Sequence, residues 1–162
     1  MHFKKLRLSE NSELITKKIP GLKKYEYKYM VSFEDTNVVG NVYFANFIRW
    51  QGKCREFFLK DNVPVLLEEI EKNDLALITM NCSCQYLAEL KAFDEVLILM
   101  SLEGIQQNKV KMLFEYYKVE NGINKKVAIG THEIGCFRRH NNELTPVPVP
   151  DSLSKVLEAY KN

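Results

Sequence analysis

The apolar and polar positions of the chain predict a protein built mainly from strands, with one long helix. Over residues 75–88 the two classes alternate with a period of two, which is typical of a strand with one buried face. Further stretches rich in apolar, aromatic or β-branched residues also predict strands: 25–34, 95–103, 109–119 and 125–137. Asn121-Gly122 predicts a hairpin turn. The prolines at positions 146, 148 and 150 predict that strand pairing ends before them.

Three helices are predicted. Residues 42–60 lack proline and are apolar nearly all round in their first half, which is typical of a buried helix. Pro64 begins a short second helix, and Asp151 is predicted to cap a final helix with one apolar stripe. This order of elements predicts a single α+β domain at residues 25–162. In it, a curved antiparallel sheet of five to six strands wraps around the long central helix.

The helical wheel of the long helix isolates Arg55. At about 100° per residue, one narrow polar stripe is predicted to face solvent: Asn46, Arg49, Lys53, Glu56 and Lys60. Arg55 lies about 180° from that stripe, on an apolar face. A cation placed there is costly unless it is paired or hydrogen-bonded. Two interpretations stay open: a buried arginine that holds a carboxylate or loop carbonyls, and an arginine that faces a ligand cavity between helix and sheet.

The segment before the helix, residues 35–41, is rich in turn and cap formers. At a helix start, Gly40-Asn41 would present free backbone N–H groups and the positive end of the helix dipole. Such a site can hold an anion or polarise a carbonyl. Ordinary helix capping accounts for the same residues, so both interpretations stay open.

Composition excludes several classes of protein. The chain has 162 residues, of which 46% are hydrophobic and 27% charged, as in ordinary globular proteins. No apolar run approaches the roughly 18 residues of a membrane span, and the N-terminus is too charged for a signal peptide. We therefore expect a cytoplasmic protein with no membrane partner. The four cysteines form no C-x-x-C pair and are expected to be free thiols, and we expect neither a metal nor a cofactor.

The charge of the chain is unevenly distributed. Residues 1–28 hold eight Lys or Arg and three Glu, a net charge of eight minus three, or +5. We assign residues 1–24 to a basic N-terminal extension, which is either a solvated leader or a landing patch for an acidic partner. No basic–aromatic motif follows, so we expect no nucleic-acid partner.

Two adjoining motifs resemble a known family. The segment FEDTNVVGNVYFANF, residues 33–47, resembles the active-site segment of hotdog-fold acyl thioesterases of the 4-hydroxybenzoyl-CoA thioesterase type. The following segment IRWQGKCREFF, residues 48–58, makes the chain most similar to the enediyne polyketide-type branch, which releases polyene chains from an acyl carrier protein. The resemblance covers residues 25–160 and implies a hotdog fold and thioester hydrolysis.

The chain departs from the common hotdog pattern at both expected carboxylates. The usual catalytic Asp position, three residues before the glycine, is Asn37, and the usual helix Glu position is Gly52. The enediyne-type branch is known for the same carboxylate-free arrangement. The resemblance therefore implies that Asn37 and Arg55 are the functional pair.

The expected reaction is attack on the thioester by an oriented water, because neither expected position carries a base. Backbone N–H groups near Gly40, Asn41 and Val42 are expected to hold the acyl carbonyl. The Asn37 amide would orient the water or donate to the oxyanion, and Arg55 would stabilise the anionic intermediate or a β-keto oxygen. Decarboxylation of a released β-keto acid stays open.

The expected substrate-binding residues are mostly aromatic and could line an acyl channel: Val42, Tyr43, Phe44, Phe47, Trp50, Gln51 and Phe93. Core packing accounts for the aromatic members of this set as well. Arg138 and Arg139 are expected either to contact the phosphates of a pantetheine arm or to form a solvated strand end. No motif places a histidine in catalysis, which argues against a hotdog dehydratase.

We therefore expect a hydrolase that releases a long-chain polyene or β-ketoacyl group from the acyl carrier protein of a polyketide synthase. An acyl-CoA thioesterase of general metabolism and a non-catalytic acyl-binding hotdog protein are the alternatives. A single hotdog layer leaves one edge of its sheet open, so we expect at least a dimer with active sites at the interface. The resemblance implies a homotetramer.

Overall fold

The computed structural model describes residues 22–72, 75–141 and 143–162. The basic extension predicted over residues 1–24 lies, for its first 21 residues, outside the described residues. Within them the chain forms one antiparallel sheet in the order β1-β3-β4-β5-β2, with β6 paired to β5. The strands are β1 (Tyr25–Met30), β2 (Ala76–Tyr86), β3 (Glu95–Gln106), β4 (Lys109–Glu120), β5 (Ile123–His140) and β6 (Glu143–Pro146). The helices are α1 (Ala45–Asn62), α2 (Pro64–Glu71) and α3 (Asp151–Glu158).

Helix α1 packs against the sheet through one stripe of large side chains. The stripe follows the helical period and is almost fully buried: Phe47, Trp50, Cys54 and Phe58. From β4, the buried Tyr116 donates its hydroxyl to the Phe47 carbonyl oxygen at 2.8 Å. A long helix on a curled antiparallel sheet is the predicted α+β architecture, which is thereby confirmed. None of the described helices is both long and apolar enough to cross a membrane.

The long helix begins three residues later than predicted, at Ala45. The residues before it form a small hairpin, in which Thr36 pairs with Val42 and the Tyr43 N–H donates to the Asp35 carbonyl at 2.8 Å. The first strand likewise ends early, at Met30, because the chain turns into a short 3₁₀ helix over Phe33–Asp35. The later start of α1 and the earlier end of β1 both arise because the chain turns at these places, which the pattern of apolar residues does not predict.

Two predictions at the C-terminal end are wrong. Pairing does not stop before Pro146: the short strand β6 ends at this proline and pairs with the last four residues of β5. A proline is tolerated there because β6 is an edge strand. Asp151 does not cap α3 but is its first helical residue after Pro150, and its carboxylate lies 3.3 Å from Lys155.

One long edge of the sheet is open. Among the described residues, β2 pairs with β5 along one side only, and seven of its eleven residues are exposed. Its register with β5 shifts between Thr79 and Asn81, so the strand contains a bulge at Met80. An exposed strand of this length offers unpaired backbone groups to another chain.

Candidate active site

The loop that carries Asn37 is a tight turn held by its own backbone. The Gly40 N–H donates to the Asn37 carbonyl at 2.9 Å, and the Asn37 N–H donates to the Asn41 carbonyl at 2.9 Å. Gly40 has φ +86°, a left-handed conformation that favours glycine. The Asn37 Oδ1 accepts the Val39 N–H at 3.0 Å, which leaves its Nδ2 without an acceptor among the described residues. The turn therefore presents one free amide donor.

The backbone amides expected to bind the acyl carbonyl are largely occupied. Gly40 donates within the turn, and Val42 donates to the Leu90 carbonyl at 2.8 Å. The expectation that these two N–H groups are free is therefore wrong, because the segment is a hairpin and not the first turn of a helix. In the described chain, the amides at the true helix start that lack an acceptor are those of Phe44 and Ala45.

Asp35 is buried beside this turn, and one oxygen of its carboxylate is occupied in structural contacts. Its Oδ2 accepts the Tyr29 hydroxyl, the Ser32 N–H and the Ser32 hydroxyl, each at 2.9 Å. Its carbonyl oxygen also accepts the Asn46 side-chain amide at 2.8 Å. This contact explains why Asn46 is buried, against its predicted place on the solvent-facing stripe. Asp35 thus holds the strand, the turn and the helix together.

Arg55 points toward the sheet, as the helical wheel predicts. Its side chain is 15% exposed, and its Nη1 lies 3.4 Å from Nε2 of His132 on β5. The same His132 nitrogen lies 3.0 Å from the Thr79 hydroxyl on β2. Glu56, its ion-pair partner, is at 3.9 Å and mostly exposed. Burial lowers the pKa of Arg55 from its ordinary value, but a guanidinium remains protonated at neutral pH.

His132 is neutral at pH 7. Burial, with the neighbouring Arg55 as a smaller cause, lowers the pKa of His132 to about 4. A donor-only guanidinium can hydrogen-bond only to an unprotonated ring nitrogen, so the Arg55 contact requires the ring proton on Nδ1, and the Thr79 hydroxyl then also donates to Nε2. That Nδ1 is buried and has no partner among the described residues.

Unpaired buried polar atoms line this side of α1. Gln51, one helical turn before Arg55, is fully buried and donates to the Ser83 carbonyl of β2 at 2.9 Å. Its Oε1 and the buried Nε of Arg55 have no partner in the part of the chain that the structure describes. Buried polar groups without partners are uncommon and costly. These atoms lie between α1, β2 and β5, on the side of the helix that carries Arg55.

The aromatic residues predicted to bind substrate divide into two groups. Phe47 and Trp50 are part of the core, whereas Tyr43 and Phe44 are about half exposed at the helix start. The Tyr86 hydroxyl at the end of β2 donates to the Phe44 carbonyl at 3.1 Å. Phe93 is exposed in a left-handed conformation, and its ring packs on Phe33 with the centroids 5.0 Å apart. The exposed group surrounds the turn that carries Asn37.

The structure does not bring all predicted site residues together within one chain. Arg55 lies ten residues after Ala45, so roughly 15 Å of helix separates it from the start of α1, which the Asn37 turn precedes. Arg138 is exposed near the end of β5. It lies ten residues beyond Ala128, the strand partner of Tyr86, so roughly 33 Å of strand separates Arg138 from the position of Tyr86. Arg139 is exposed beside it. The predicted residues thus occupy three places: the turn and helix start, the buried face of α1, and the far end of β5.

Sequence reasoning missed His132 and Thr79. The signal was present in β5, where Gly130, His132 and Ile134 are two residues apart and therefore share one face. Ile134 is buried, so that face is the one turned inward. Thr79 could not be placed in the same way, because the bulge at Met80 shifts the alternation of β2 by one residue.

The curled antiparallel sheet and the central helix packed on it define a hotdog-fold protein. The chain belongs to the thioesterase-like superfamily, whose family model matches residues 31–157. It is 23% identical over 125 residues to a 1,4-dihydroxy-2-naphthoyl-CoA hydrolase of Thermosynechococcus vestitus, covering 77% of this chain and 84% of the relative. The predicted family and enzyme class, a hydrolase of thioester bonds, are confirmed.

Solved structures agree with this assignment. A dynemicin thioesterase, described in a study of polyene binding, superposes with a TM-score of 0.82 and 38% identity, over 86% of this chain and 99% of that one. A 1,4-dihydroxy-2-naphthoyl-CoA thioesterase from Synechocystis gives a TM-score of 0.74 at 19% identity, over 83% of this chain and 96% of that one. The second likeness concerns the fold alone.

Proposed function

We propose that the protein releases a polyene or β-ketoacyl chain from the acyl carrier protein of a polyketide synthase by hydrolysing its thioester. The observation that carries the proposal is that Asn37 and Gly52 stand at the two positions where a carboxylate is expected, while Arg55 points from the helix that holds Gly52 toward the sheet. The 38% identity to a dynemicin thioesterase studied for polyene binding supports the same substrate class. The exposed aromatic group at the helix start suits a flat unsaturated chain.

The reaction adds water across the C–S bond. An oriented water attacks the acyl carbon, the carbonyl oxygen becomes an oxyanion, and collapse of the intermediate expels the thiol of the carrier and leaves the acid. Free N–H groups at the start of α1 and the Asn37 Nδ2 are the donors toward the oxyanion. Arg55 remains a cation and stabilises developing negative charge or a β-keto oxygen. Without a general base, turnover is slow.

The complete site is formed by two copies of the chain. Antiparallel pairing of the open β2 edges along their full length would place Asn81 on the twofold axis and Tyr86 of one copy opposite Ala76 of the other. Tyr86 contacts the helix start near the Asn37 turn, whereas Thr79 lies beside the Arg55 cluster. The Asn37 turn of one copy would thus approach Arg55 of the other. A pair of such dimers gives the homotetramer expected from the resemblance.

Subunit complementation tests this shared site. Asn37→Ala and Arg55→Met are each expected to lower the activity by about a hundredfold. Mixed dimers of the two variants contain one site with both residues intact, so random mixing should restore about a quarter of the wild-type activity. Mixing each variant with itself is the matched control. If separate chains exchange, as shown by tagged subunits, and activity stays at the level of the single variants, the two residues do not meet across an interface.

A substrate panel tests the carrier and the acyl chain. The same saturated, β-keto and polyene acyl groups are presented on CoA and on a phosphopantetheine-loaded acyl carrier protein, and kcat/KM is compared. The proposal expects the highest value for an unsaturated or β-ketoacyl carrier protein. A clear preference for CoA would favour the second candidate, an acyl-CoA thioesterase, which the likeness to the 1,4-dihydroxy-2-naphthoyl-CoA hydrolase supports.

A further inference from the structure

We propose that His132 is a positioning residue, which together with Thr79 fixes the orientation of the Arg55 guanidinium. The inference rests on the proposed role of Arg55 in the hydrolysis. It adds to that function a group that neither touches the substrate nor carries a proton in the reaction. Its effect is to hold a long and otherwise flexible side chain in one geometry.

The contacts come from three different elements. Arg55 extends from α1, His132 from β5 and Thr79 from β2, and the two partners meet at the single nitrogen Nε2 of His132, at 3.4 Å and 3.0 Å. His132 itself is held by burial on all sides, being 5% exposed, with the Phe114 ring 6.3 Å away between centroids. Because His132 is fixed in this way, it can hold the longer and more flexible Arg55 side chain in one position.

Arg55 has few other restraints. The ion pair with Glu56 is long, at 3.9 Å, and Glu56 is 69% exposed, so this contact is worth little. The Nε of Arg55 is buried without a partner among the residues that the structure describes. The Nε2 acceptor of His132 is therefore the buried polar contact that selects one rotamer of the guanidinium. Because arginine only donates hydrogen bonds, the contact also requires the uncharged ring with its proton on Nδ1.

Substitutions of His132 and Thr79 that keep the size of the side chain but change its hydrogen bonding give matched variants for a test. His132→Gln retains an acceptor at about the distance of Nε2, His132→Asn does not reach as far, and His132→Leu has none. Thr79→Val keeps its shape and removes the hydroxyl. Glu133→Gln, next along β5 on the opposite face and paired with Lys109 at 3.4 Å, is the control. Circular dichroism and thermal melting are measured for every variant.

Steady-state kinetics on the best substrate of the panel should give about a tenfold to hundredfold lower kcat for His132→Leu and His132→Asn, with a smaller change in KM. His132→Gln should recover most of that loss, and Thr79→Val should lower kcat in the same direction but less. In an Arg55→Met background, His132→Leu should cause no further loss, because it acts only through the arginine. Glu133→Gln should match the wild type.

Three outcomes would overturn the inference. They are a folded His132→Asn protein with wild-type kcat, failure of His132→Gln to exceed His132→Asn, and losses from His132→Leu and Arg55→Met that multiply. If His132→Leu does not fold, an unchanged kcat in both Thr79→Val and His132→Asn is decisive against it. Full activity of Arg55→Met would instead remove the proposed role of Arg55, and this inference with it.

Discussion

The Tyr29 hydroxyl donates to the carboxylate of Asp35 at 2.9 Å, inside a buried junction between β1, the Asn37 turn and α1. The carboxylate oxygen that Tyr29 contacts also accepts two groups of Ser32. The oxygen that makes these contacts is poorly placed to take a proton from water. Asp35, which precedes the Asn37 turn in the chain, therefore has a structural role.

Asp35→Ala should accordingly reduce stability more than it reduces chemistry. It leaves the Tyr29 hydroxyl and the Ser32 donors without their acceptor, which should lower the free energy of unfolding by on the order of 2 kcal/mol. Urea unfolding measures the loss, with the exposed neighbour Glu34→Ala as the control. If Asp35→Ala folds but has no residual hydrolysis, the Asp35 carboxylate takes part in the reaction.

Asn37→Ala should lower kcat by about a hundredfold, because it removes an oxyanion or water donor. The same change deletes the Oδ1 that accepts the Val39 N–H, so a structural effect on the turn must be separated from it. Circular dichroism and urea unfolding of Asn37→Ala measure that structural effect, whereas Asn37→Asp is unsuitable because it would place a carboxylate at the usual catalytic Asp position. Equal rates for Asn37→Ala and the wild type would place the chemistry elsewhere.

The rate of hydrolysis should be flat or rise gently with hydroxide between about pH 5 and pH 9, because neither Asn37 nor Arg55 titrates in that range. A loss of rate is expected only near pH 4, where His132 becomes a second cation beside Arg55. The profile of kcat against pH measures this. In His132→Gln the decrease of kcat near pH 4 should disappear. If kcat still decreases there in the variant, a carboxylate base is indicated.

Folding must be followed over the same pH range. The pKa of His132 in the folded protein, about 4, lies below the ordinary 6.5, so the unfolded chain binds more protons between these values. Stability is therefore complete above about pH 6.5 and falls as the pH is lowered toward 4, by on the order of 3 kcal/mol. Circular dichroism at each pH distinguishes unfolding from a true decrease of kcat.

Gly130→Ala should destabilise the protein by about 1–3 kcal/mol through overpacking. A Cβ at this position would lie 2.6 Å from the Ser83 carbonyl oxygen, a backbone atom of the neighbouring strand, and 2.1 Å from the Gln51 amide. Gly104→Ala is the control, since nothing lies within 4 Å of its added carbon. Chemical denaturation that finds both variants equally stable would show that β2 can move away from β5.

Much of the fold could be predicted from the sequence, because period-two and helical patterns follow directly from burial. The inward direction of Arg55 followed from the helical wheel in the same way. Asn46 could not be placed correctly, since its burial depends on a hydrogen bond to the Asp35 carbonyl across a turn. The pairing of His132 with Arg55 and Thr79 joins residues 53 to 77 positions apart, and such contacts leave no local pattern.

A cysteine on the open edge of β2 can be used to measure whether two copies of the chain pair there. Cys82 lies exposed near the middle of that edge, whereas Cys54 and Cys136 are fully buried and burial raises the pKa of both thiols. An alkylating reagent should therefore react first at the edge strand, before any thiol of the core. If two copies pair there, alkylation of Cys82 slows as the protein concentration rises. The dependence of the alkylation rate on protein concentration then gives the dissociation constant of the assembly, without any substrate being present.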